Sequence, residues 1–372
     1  MILHLLTDDK FADYTINQFS KPEKESTFLL ICEDENCEIK YIKNKNRLLI
    51  LSLYTVEYNQ FIENLHQFAA IVTHGLFYPW QEKIILSAPS TVKIAWVFWG
   101  GEIYGRSEFR YTFFAPKTKI LYWLKQIKRL IKGSISKNKS FFVEYDIYKR
   151  INFCLTDEHE EFEFVNKYTH SNMEELWYNY YSIEETLGEL INETINSTNI
   201  LIGNSCTLEN NHVDVFKKLT KFDIGNSKLI VPLSYGEDWL KTIIVKKGKM
   251  LFGNSFLPLM DFMKRDSYNQ YLLSCSIVVM NQYRPQAQGN IITSLWLGAK
   301  LYLSKKSIAY TYFKRIGICF FSIEDDLVPS NVEALEPLNK DKVEINRQVL
   351  LHEYGKNAMR VKINKIIAVL NK

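Results

Sequence analysis

The sequence predicts an α/β protein in which two doubly wound, Rossmann-like domains face a central cleft. Three observations carry this prediction. Apolar runs of strand length alternate with stretches of helical spacing along most of the chain. Two strand ends open into glycine-containing loops about a hundred residues apart, at Gly100 and Gly203. At 372 residues the chain is also longer than one hydrophobic core usually serves, and its 47% hydrophobic residues are enough for two cores.

The first half of the chain reads as a parallel sheet with crossover helices. Helical spacing separates its apolar runs, as in Asn59 to Phe68. An alternation of this kind is typical of a doubly wound domain. The predicted strands lie near residues 2–6, 27–32, 48–53, 68–73, 93–99 and 151–156.

The second half repeats the pattern, with helices predicted over His212 to Lys221 and Asp261 to Ser274. Between the halves, residues 191–199 have the polar composition of a linker. We therefore predict domains over residues 1–190 and 191–340, and a terminal helix over 341–372 that packs back on the first domain. The strands predicted in this half lie near residues 199–203, 228–233, 249–252, 276–280, 300–303 and 318–322.

Composition also restricts location and class. No run of 18 apolar residues occurs, and the first ten residues read as a strand rather than a signal peptide. The cysteines form no Cys-x-x-Cys pair, so we expect reduced core residues of a cytosolic protein rather than a zinc site. The six cysteines are Cys32, Cys37, Cys154, Cys206, Cys275 and Cys319.

The positive charge is concentrated in one segment. The net charge is only +4, yet eight cations and no acid lie between Lys117 and Lys139. Aliphatic residues and a tryptophan alternate with these cations, which predicts a helix lying in an anionic membrane interface. A nucleic-acid-binding helix and an ordinary amphipathic core helix are the alternatives. The predicted membrane residues are Trp123, Lys125, Lys128, Arg129 and Lys132.

Three loops at the carboxyl ends of first-half strands carry candidate chemistry, because ligands of such sheets bind at that edge. Glu102 follows two glycines and lies beside Trp99 and Tyr104, aromatic residues suited to stacking on a sugar. A carboxylate there can deprotonate an acceptor hydroxyl. A solvated glutamate at a strand end is the alternative reading.

The other two loops contain Asp8, Asp9 and His74, and His4 lies inside the first predicted strand. A lone histidine in a strand is more often a core residue than a ligand. An Asp pair in a turn is as often an Asx turn or helix cap as a substrate-binding group. His74 is a better candidate, because it is followed by glycine at the predicted ligand-binding edge.

In the second half, Gly203-Asn204-Ser205 ends the first strand, where amides and side chains can hold a diphosphate. Arg284 to Asn290 leads into a helix predicted over Ile291 to Gly298, and a helix N-terminus favours an anion. Tyr235, after the next strand, can stack on a nucleobase or be an ordinary turn residue. No Gly-x-Gly-x-x-Gly or P-loop motif accompanies them, so each motif alone is weak.

A metal site is not expected, because no Asp-x-Asp occurs. We therefore predict a metal-independent reaction with no cofactor, in which a helix dipole and hydrogen-bond donors offset the charge of a leaving diphosphate.

With these motifs in order, the chain resembles the bacterial TDP-N-acetylfucosamine:lipid II N-acetylfucosaminyltransferases, glycosyltransferase family 56. The resemblance implies a GT-B fold, an acceptor-binding N-terminal domain, a nucleotide-sugar-binding C-terminal domain and peripheral attachment to the cytoplasmic face of the inner membrane. The resembling segments are Leu3-His4, Asp9, Trp96 to Tyr104, the basic helix, Ile200 to Ser205, Val231 to Gly236 and Arg284 to Gly289.

Carried over by position, the resemblance implies a donor site at Asn204, Ser205, Gln286 and Gly289, and an acceptor and catalytic side at His4, Asp9, Trp99 and Glu102. The residue patterns described above supply the remaining candidates. The catalytic candidates are Glu102, Asp9 and His4. The acceptor-binding candidates are Asp8, His74, Trp99 and Tyr104. The donor-binding candidates are Gly203, Asn204, Ser205, Tyr235, Arg284, Gln286, Gly289 and Asn290. Two positions depart from the family pattern: Glu102 stands where the family has Asp, and Ala287 replaces a glycine.

The sequence thus predicts a glycosyltransferase that moves a deoxy-amino sugar, N-acetylfucosamine-like, from a dTDP or UDP donor to a polyprenyl-diphosphate-linked saccharide in surface polysaccharide assembly. A nucleotide sugar, the lipid-linked acceptor and an anionic membrane are the expected partners, and nucleic acid is not. A sugar-nucleotide epimerase of the same two-domain fold and a non-catalytic membrane-docked scaffold remain alternatives.

Overall fold

The computed structural model describes residues 1–20, 26–33, 37–109, 111–131 and 142–372. These residues form two compact units. The first unit comprises the described parts of 1–106, 142–182 and 356–372, and the second those of 107–131 and 183–355.

The first unit is built on a parallel sheet ordered β3-β2-β1-β4-β5-β6-β7. The order reverses between β1 and β4, so the loops after these strands flank a topological switch point, where such sheets bind ligands. Its strands are β1 (Ile2–Leu6), β2 (Ser26–Cys32), β3 (Leu48–Ser52), β4 (Ala70–His74), β5 (Lys93–Val97), β6 (Phe153–Thr156) and β7 (Glu174–Trp177).

The second unit repeats this topology, with a parallel sheet ordered β10-β9-β8-β11-β12-β13. Its switch point lies between β8 and β11. The strands are β8 (Asn199–Ile202), β9 (Leu229–Pro232), β10 (Phe256–Leu259), β11 (Cys275–Met280), β12 (Lys300–Leu303) and β13 (Phe321–Ser322). The two sheets confirm the predicted fold class of two doubly wound domains.

Helices connect the strands of both units. Within the described residues, none of them is long and apolar enough to cross a bilayer. They are α1 (Ala12–Phe19), α2 (Val56–Glu63), α3 (Pro79–Ser87), α4 (Gly101–Tyr104), α5 (Pro116–Ile131), α6 (His159–Thr169), α7 (Ile183–Leu187), α8 (His212–Leu219), α9 (Asp238–Phe252), α10 (Arg265–Leu273), α11 (Gln288–Leu297), α12 (Ile308–Ile316), α13 (Lys340–Tyr354) and α14 (Lys356–Leu370).

One predicted strand was wrong. Residues 249–252 form the last turn of α9, which is amphipathic and buries Leu240, Ile244 and Gly248 at a spacing of four. The strand instead begins at Phe256, whose ring packs so closely on Gly248 that a Cβ there would lie 2.2 Å from it. The apolar end of a long helix was therefore mistaken for a strand.

The compact units do not follow the predicted boundaries. The basic helix α5, predicted inside domain 1–190, groups with the second unit, and the first unit ends at 182 before α7. The terminal segment is two helices separated at Gly355. Only α14 belongs to the first unit, where Ile363, Ile366 and Leu370 are buried in its core.

Two cysteines differ from the expectation of six reduced core residues. Cys32 and Cys37 form a disulfide, with Cα atoms 5.7 Å apart, a separation that allows the bond. Cys154, Cys206 and Cys275 are free and buried, and Cys319 is partly buried.

Candidate active site

The carboxyl edge of the first sheet carries a glycine-dependent turn that positions Glu102. Gly100 has a φ of +90°, a conformation that favours glycine, and the chain then enters the short helix α4. A Cβ at Gly100 would also lie 3.0 Å from the ring of Tyr104. Glu102 consequently occupies the first turn of α4, with its side chain folded back beneath the loop.

The Glu102 carboxylate is only 2% exposed. One oxygen, Oε1, accepts hydrogen bonds from the Trp96 indole and the Trp99 backbone N–H, each at 3.3 Å. No hydrogen bond reaches the buried second oxygen, Oε2, from a described residue. Burial raises the pKa of Glu102 to about 7, because hydrogen bonds from the Trp96 indole and from backbone N–H groups offset only part of the desolvation. A carboxyl with this pKa exchanges a proton near neutral pH.

A hydrogen-bonded chain holds the neighbouring Trp99 ring. Its indole N–H donates to the Tyr180 hydroxyl at 2.6 Å, and that hydroxyl lies 3.0 Å from Nδ1 of His74. His74 Nε2 in turn lies 3.2 Å from Nδ1 of His4. An indole N–H can only donate, so Tyr180 accepts from Trp99, while the direction of the two hydrogen bonds of His74 depends on the tautomers of the imidazole rings.

In this hydrogen-bonded chain both histidines act as structural residues of the core. His4 is fully buried between Phe19 and Phe28, and burial lowers its pKa well below the ordinary value. Burial likewise lowers the pKa of His74 to about 3, and both of its ring nitrogens have partners. The two partners of His74 and the aromatic packing of His4 favour the core-histidine alternative over the predicted catalytic and acceptor-binding roles.

The aspartate pair after β1 stabilises loops. Asp8 accepts backbone N–H groups of residues 40, 41 and 42, at 2.6 to 3.1 Å. Asp9 accepts from the Thr7 hydroxyl and the Phe11 backbone N–H, both at 2.6 Å, which is an Asx turn. Asp9 is partly exposed, and burial raises its pKa despite these bonds. Of the two aspartates, Asp9 remains a candidate for a chemical role at this edge.

Tyr104 lies away from the predicted acceptor surface. Its hydroxyl donates to Glu161 at 2.9 Å, and only 5% of the residue is exposed. The aromatic surface is instead formed around Trp99 by the partly exposed Phe11 and Phe77, with ring centroids 5.4 and 5.8 Å away. These rings can stack on a sugar face.

In the second unit, the predicted residues after β8 and β9 do converge. The Asn204 side-chain amide donates to the Tyr235 hydroxyl at 3.2 Å, while the Asn204 backbone N–H donates to Oδ1 of Asn210 at 2.9 Å. Asn210 also binds Ser205 and Thr207, each at 3.0 Å. Gly203, with φ +64°, is required here because a Cβ would lie 2.5 Å from Asn210 Oδ1.

The N-terminus of α11 lies at the carboxyl end of β11, on the same edge of the sheet. The helix begins at Gln288, so Gly289 and Asn290 are in its first turn, and Asn290 donates to the Tyr268 hydroxyl at 2.9 Å. Ala287 adopts a left-handed conformation with φ +62°, which explains the glycine expected at this position.

Two residues before α11 can reach an anion. Arg284 is partly exposed, and its guanidinium donates weakly to the Pro285 carbonyl at 3.4 Å. The buried amide nitrogen of Gln286 has no hydrogen-bond partner among the described residues. Together with the first turn of α11, these donors define an anion-binding surface.

Sequence reasoning missed the residues that join these motifs, namely Tyr180, Asn210, Gln282 and Tyr268. Gln282 donates to Asn210 at 2.9 Å, and the two residues follow predicted strands by two and seven positions. That position was the one available signal, and it does not distinguish a network member from any other loop residue. Tyr180 and Tyr268 are two of 22 tyrosines and carried no signal.

Helix α5 presents its apolar face to solvent. Its buried residues are Thr118 and Tyr122, whereas Trp123 is 60% and Ile131 is 80% exposed. Lys119 and Lys128 are exposed beside this face, and Arg129 is partly buried. The exposed large apolar residues of the helix are Ile120, Trp123, Leu124, Leu130 and Ile131. The alternative of an ordinary core helix, which would bury this face, is wrong.

Contacts on the polar face fix this orientation. Asp214 accepts the backbone N–H groups of Lys117 and Thr118 and the Thr118 hydroxyl, at 2.8 to 3.0 Å. Lys125 forms an ion pair with Glu237 and lies 4.2 Å from the centroid of the Trp239 ring. Lys125 is therefore engaged within the unit, and the predicted membrane residue Lys132 lies outside the described residues.

Potential metal ligands were also considered. Within the described residues, no three His, Cys, Asp or Glu side chains are grouped so that they could hold a metal ion.

The two sheets with their shared topology have known structural counterparts. The glycosyltransferase from Rickettsia africae is similar over 100% of this chain and 98% of its own, with 12% identity and a TM-score of 0.60. HepE from Anabaena, in complex with UDP and glucose, covers 99% and 98%, with 10% identity and a TM-score of 0.59. The E. coli trehalose-6-phosphate structure bound with UDP-2-fluoro glucose covers 100% and 99%, with 11% identity and a TM-score of 0.60.

These similarities define the fold as GT-B. No curated protein matches the sequence. One family model does match, over residues 23–350: the chain belongs to the 4-alpha-L-fucosyltransferases, glycosyl transferase group 56, and is therefore a glycosyltransferase. The family resemblance read from the sequence is thereby confirmed.

The buried carboxyl of Glu102 makes stability depend on pH. Its pKa is about 7 in the folded state against 4.5 ordinarily, so between these values the native state retains a proton that the unfolded state has lost. The free energy of unfolding of the wild type is therefore unaffected by the ionisation of Glu102 below pH 4.5, and it falls as the pH rises from 4.5 to about 7. Glu102→Gln should therefore gain about 3 kcal/mol relative to wild type between pH 4.5 and 8. Urea denaturation of both proteins across this range tests this, and a difference independent of pH would contradict it.

Proposed function

We propose that this glycosyltransferase transfers a deoxy-amino sugar from a dTDP- or UDP-sugar to a polyprenyl-diphosphate-linked saccharide at the cytoplasmic face of the inner membrane. The observation that carries this proposal is the edge of the second sheet, where hydrogen-bond donors from three loops and the N-terminus of α11 lie together. A diphosphate offers only acceptors and negative charge, which this surface complements.

The nucleotide side is supported by the similar structures. HepE is described with UDP and glucose, and the E. coli structure with UDP-2-fluoro glucose. In the present chain, Arg284, Gln286 and the first turn of α11 would bind the diphosphate. Asn204 and the exposed ring of Tyr235 would contact the nucleoside. The positive end of α11 stabilises the leaving diphosphate without a metal ion.

On the acceptor side, Glu102 is the proposed base. Its unpartnered Oε2 is buried in this structure; once exposed to the acceptor, it would take the proton of the acceptor hydroxyl while the hydroxyl oxygen attacks the anomeric carbon. The bond from the anomeric carbon to the diphosphate oxygen breaks, and the nucleoside diphosphate departs with its electron pair. A pKa near 7 suits a base that works at neutral pH. Asp9, which is partly exposed, is the alternative base at this edge.

The lipid-linked acceptor is supported by α5. An exposed stripe of aliphatic and tryptophan side chains flanked by lysines is the pattern of a helix that lies in an anionic interface. Lys119 and Lys128 would contact lipid headgroups while Trp123 and Leu124 enter the acyl boundary. Such docking brings a soluble enzyme to an acceptor that cannot leave the bilayer.

Nucleotide binding should not require a divalent metal. dTDP or UDP should bind in EDTA with little loss of affinity, because α11 and neutral donors supply the attraction. Isothermal titration with and without magnesium measures this. Strict magnesium dependence would overturn the metal-independent assignment.

The base assignment predicts a specific loss of turnover. Glu102→Gln should lower sugar transfer about 10²-fold or more while dTDP and UDP affinities stay unchanged. Gln retains an oxygen for Trp96 and Trp99, so the loop should keep its fold. Glu57→Gln, the same change at an exposed site on α2, is the control and should transfer normally. Near wild-type turnover of Glu102→Gln would move the base role to Asp9.

Membrane docking should depend on both charge and apolar surface. Cosedimentation with vesicles containing anionic phospholipid should fall on adding salt, with Lys119→Glu/Lys128→Glu, and with Trp123→Ala/Leu124→Ala, since both terms contribute to binding. Lys246→Glu/Lys249→Glu makes the same charge change at exposed positions of α9 and should bind normally. Intact vesicle binding after either change in α5, or equally tight binding of RNA at physiological salt, would refute the membrane assignment.

A further inference from the structure

At the carboxyl edge of the second sheet, one backbone N–H determines which end of each side-chain amide donates and which end accepts a hydrogen bond. The backbone N–H of Asn204 can only donate. It lies 2.9 Å from the side-chain oxygen of Asn210, so that end of the Asn210 amide is fixed as the acceptor. Asn210 is 1% exposed and has no room to exchange this partner for water.

The opposite end of Asn210 must then be its NH₂ group. It donates to the hydroxyl oxygens of Ser205 and Thr207, each at 3.0 Å. Both hydroxyls therefore act as acceptors towards Asn210 and keep their own hydrogens. Their oxygens are 3.5 Å apart, so at most one of the two hydrogens can be used between them. At least one remains for a ligand.

The same reasoning determines which atoms donate in the hydrogen bonds that link Gln282 to Tyr235. Its NH₂ group donates to Asn210 at 2.9 Å and to the side-chain oxygen of Asn204 at 3.3 Å. The NH₂ group of Asn204 consequently faces the Tyr235 hydroxyl, at 3.2 Å. Tyr235 accepts there and retains its hydrogen, on a residue that is 57% exposed.

We propose that Asn210 and Gln282 are positioning residues that turn the hydroxyl hydrogens of Ser205 or Thr207 and of Tyr235 towards the ligand. The ligand they select is rich in acceptor oxygens, as the phosphates and base carbonyls of a nucleoside diphosphate are. This inference rests on the proposed function and adds to it the residues that orient the site without touching the ligand.

Asn210→Asp tests the first branch, because Asp is isosteric and accepts at both ends. The Ser205 and Thr207 hydrogens would then turn inward to the carboxylate. In the wild type, Ser205→Ala/Thr207→Val should weaken dTDP and UDP binding roughly tenfold, the usual effect of a lost hydrogen bond to a charged group. In the Asn210→Asp background the same pair should change the Kd less than twofold, and comparing the two backgrounds cancels the added charge.

Gln282→Met tests the second branch without introducing a charge. Met is similar in shape and cannot donate, so the Asn204 amide becomes free to reverse and Tyr235 can then donate to it. Tyr235→Phe should weaken nucleotide binding roughly tenfold in the wild type and have little effect in Gln282→Met. This branch does not depend on the folding of Asn210→Asp.

Asn346→Asp is the matched control for a buried carboxylate. Asn346 is 0% exposed in the same unit, and among the described residues its side chain binds the backbone of Cys319 alone. This variant should keep the wild-type Kd for dTDP and UDP. The inference would be wrong if Ser205→Ala/Thr207→Val raised the Kd as much in Asn210→Asp as in the wild type, or if Tyr235→Phe did so in Gln282→Met. That result would leave the proposed function intact. A wild-type protein that binds neither nucleotide would overturn the proposed function with it.

Discussion

Both units depend on one constraint, which is that all strands of a parallel sheet end at the same edge. Polar groups that leave these strands are partly buried by neighbouring loops and must bind each other. In the second unit one group that can only donate, the Asn204 backbone N–H, fixes the direction of the whole set. In the first unit the Trp99 indole fixes the direction of its own bond to Tyr180. Side chains whose direction would otherwise be ambiguous then have a single consistent arrangement.

The two networks differ at the sheet edge. In the first unit the hydrogen-bonded chain runs inward from Trp99 through Tyr180 and His74 to His4, whose last nitrogen has no partner within the described residues. Glu102 Oε2 is a buried acceptor beside this edge, and Asp9 is a partly exposed one. In the second unit, the proposed arrangement leaves hydroxyl hydrogens for a ligand. An acceptor-rich edge suits a substrate hydroxyl that must lose a proton, and a donor-rich edge suits a diphosphate.

Periodicity predicted the fold well, because buried parallel strands are short apolar runs between helices. It failed where an apolar pattern had two readings, as in the last turn of α9, or where the strand was polar, as in β7 with Glu174 and Glu175. The site was harder to predict. A motif indicates which residues follow a strand. The hydrogen-bond partner that determines the role of such a residue is often distant in sequence, as Tyr180 is from His74.

The same reason explains the misassigned residues. His4, His74, Asp8 and Tyr104 all have chemistry suited to a site and lie near the correct edge. Their hydrogen bonds go to buried or backbone partners at sequence separations of 32 to 106 residues, which no local pattern reveals. Gly203 was easier to predict, because glycine marks a turn with positive φ, whereas Ala287 adopts a similar conformation without that mark.

Helix α5 shows how tertiary contacts give a sequence pattern its meaning. Amphipathicity alone is compatible with a core helix, because rotation by about half a turn would bury the apolar stripe. Three contacts oppose that rotation. Asp214 binds the first turn, Tyr122 is buried in the core, and Lys125 is held by Glu237 and Trp239. Leaving several large apolar side chains exposed costs on the order of 1 kcal/mol or more for each. A cost of that size is tolerated where another surface covers the helix, and the lysines beside the stripe make an anionic bilayer the surface that fits best.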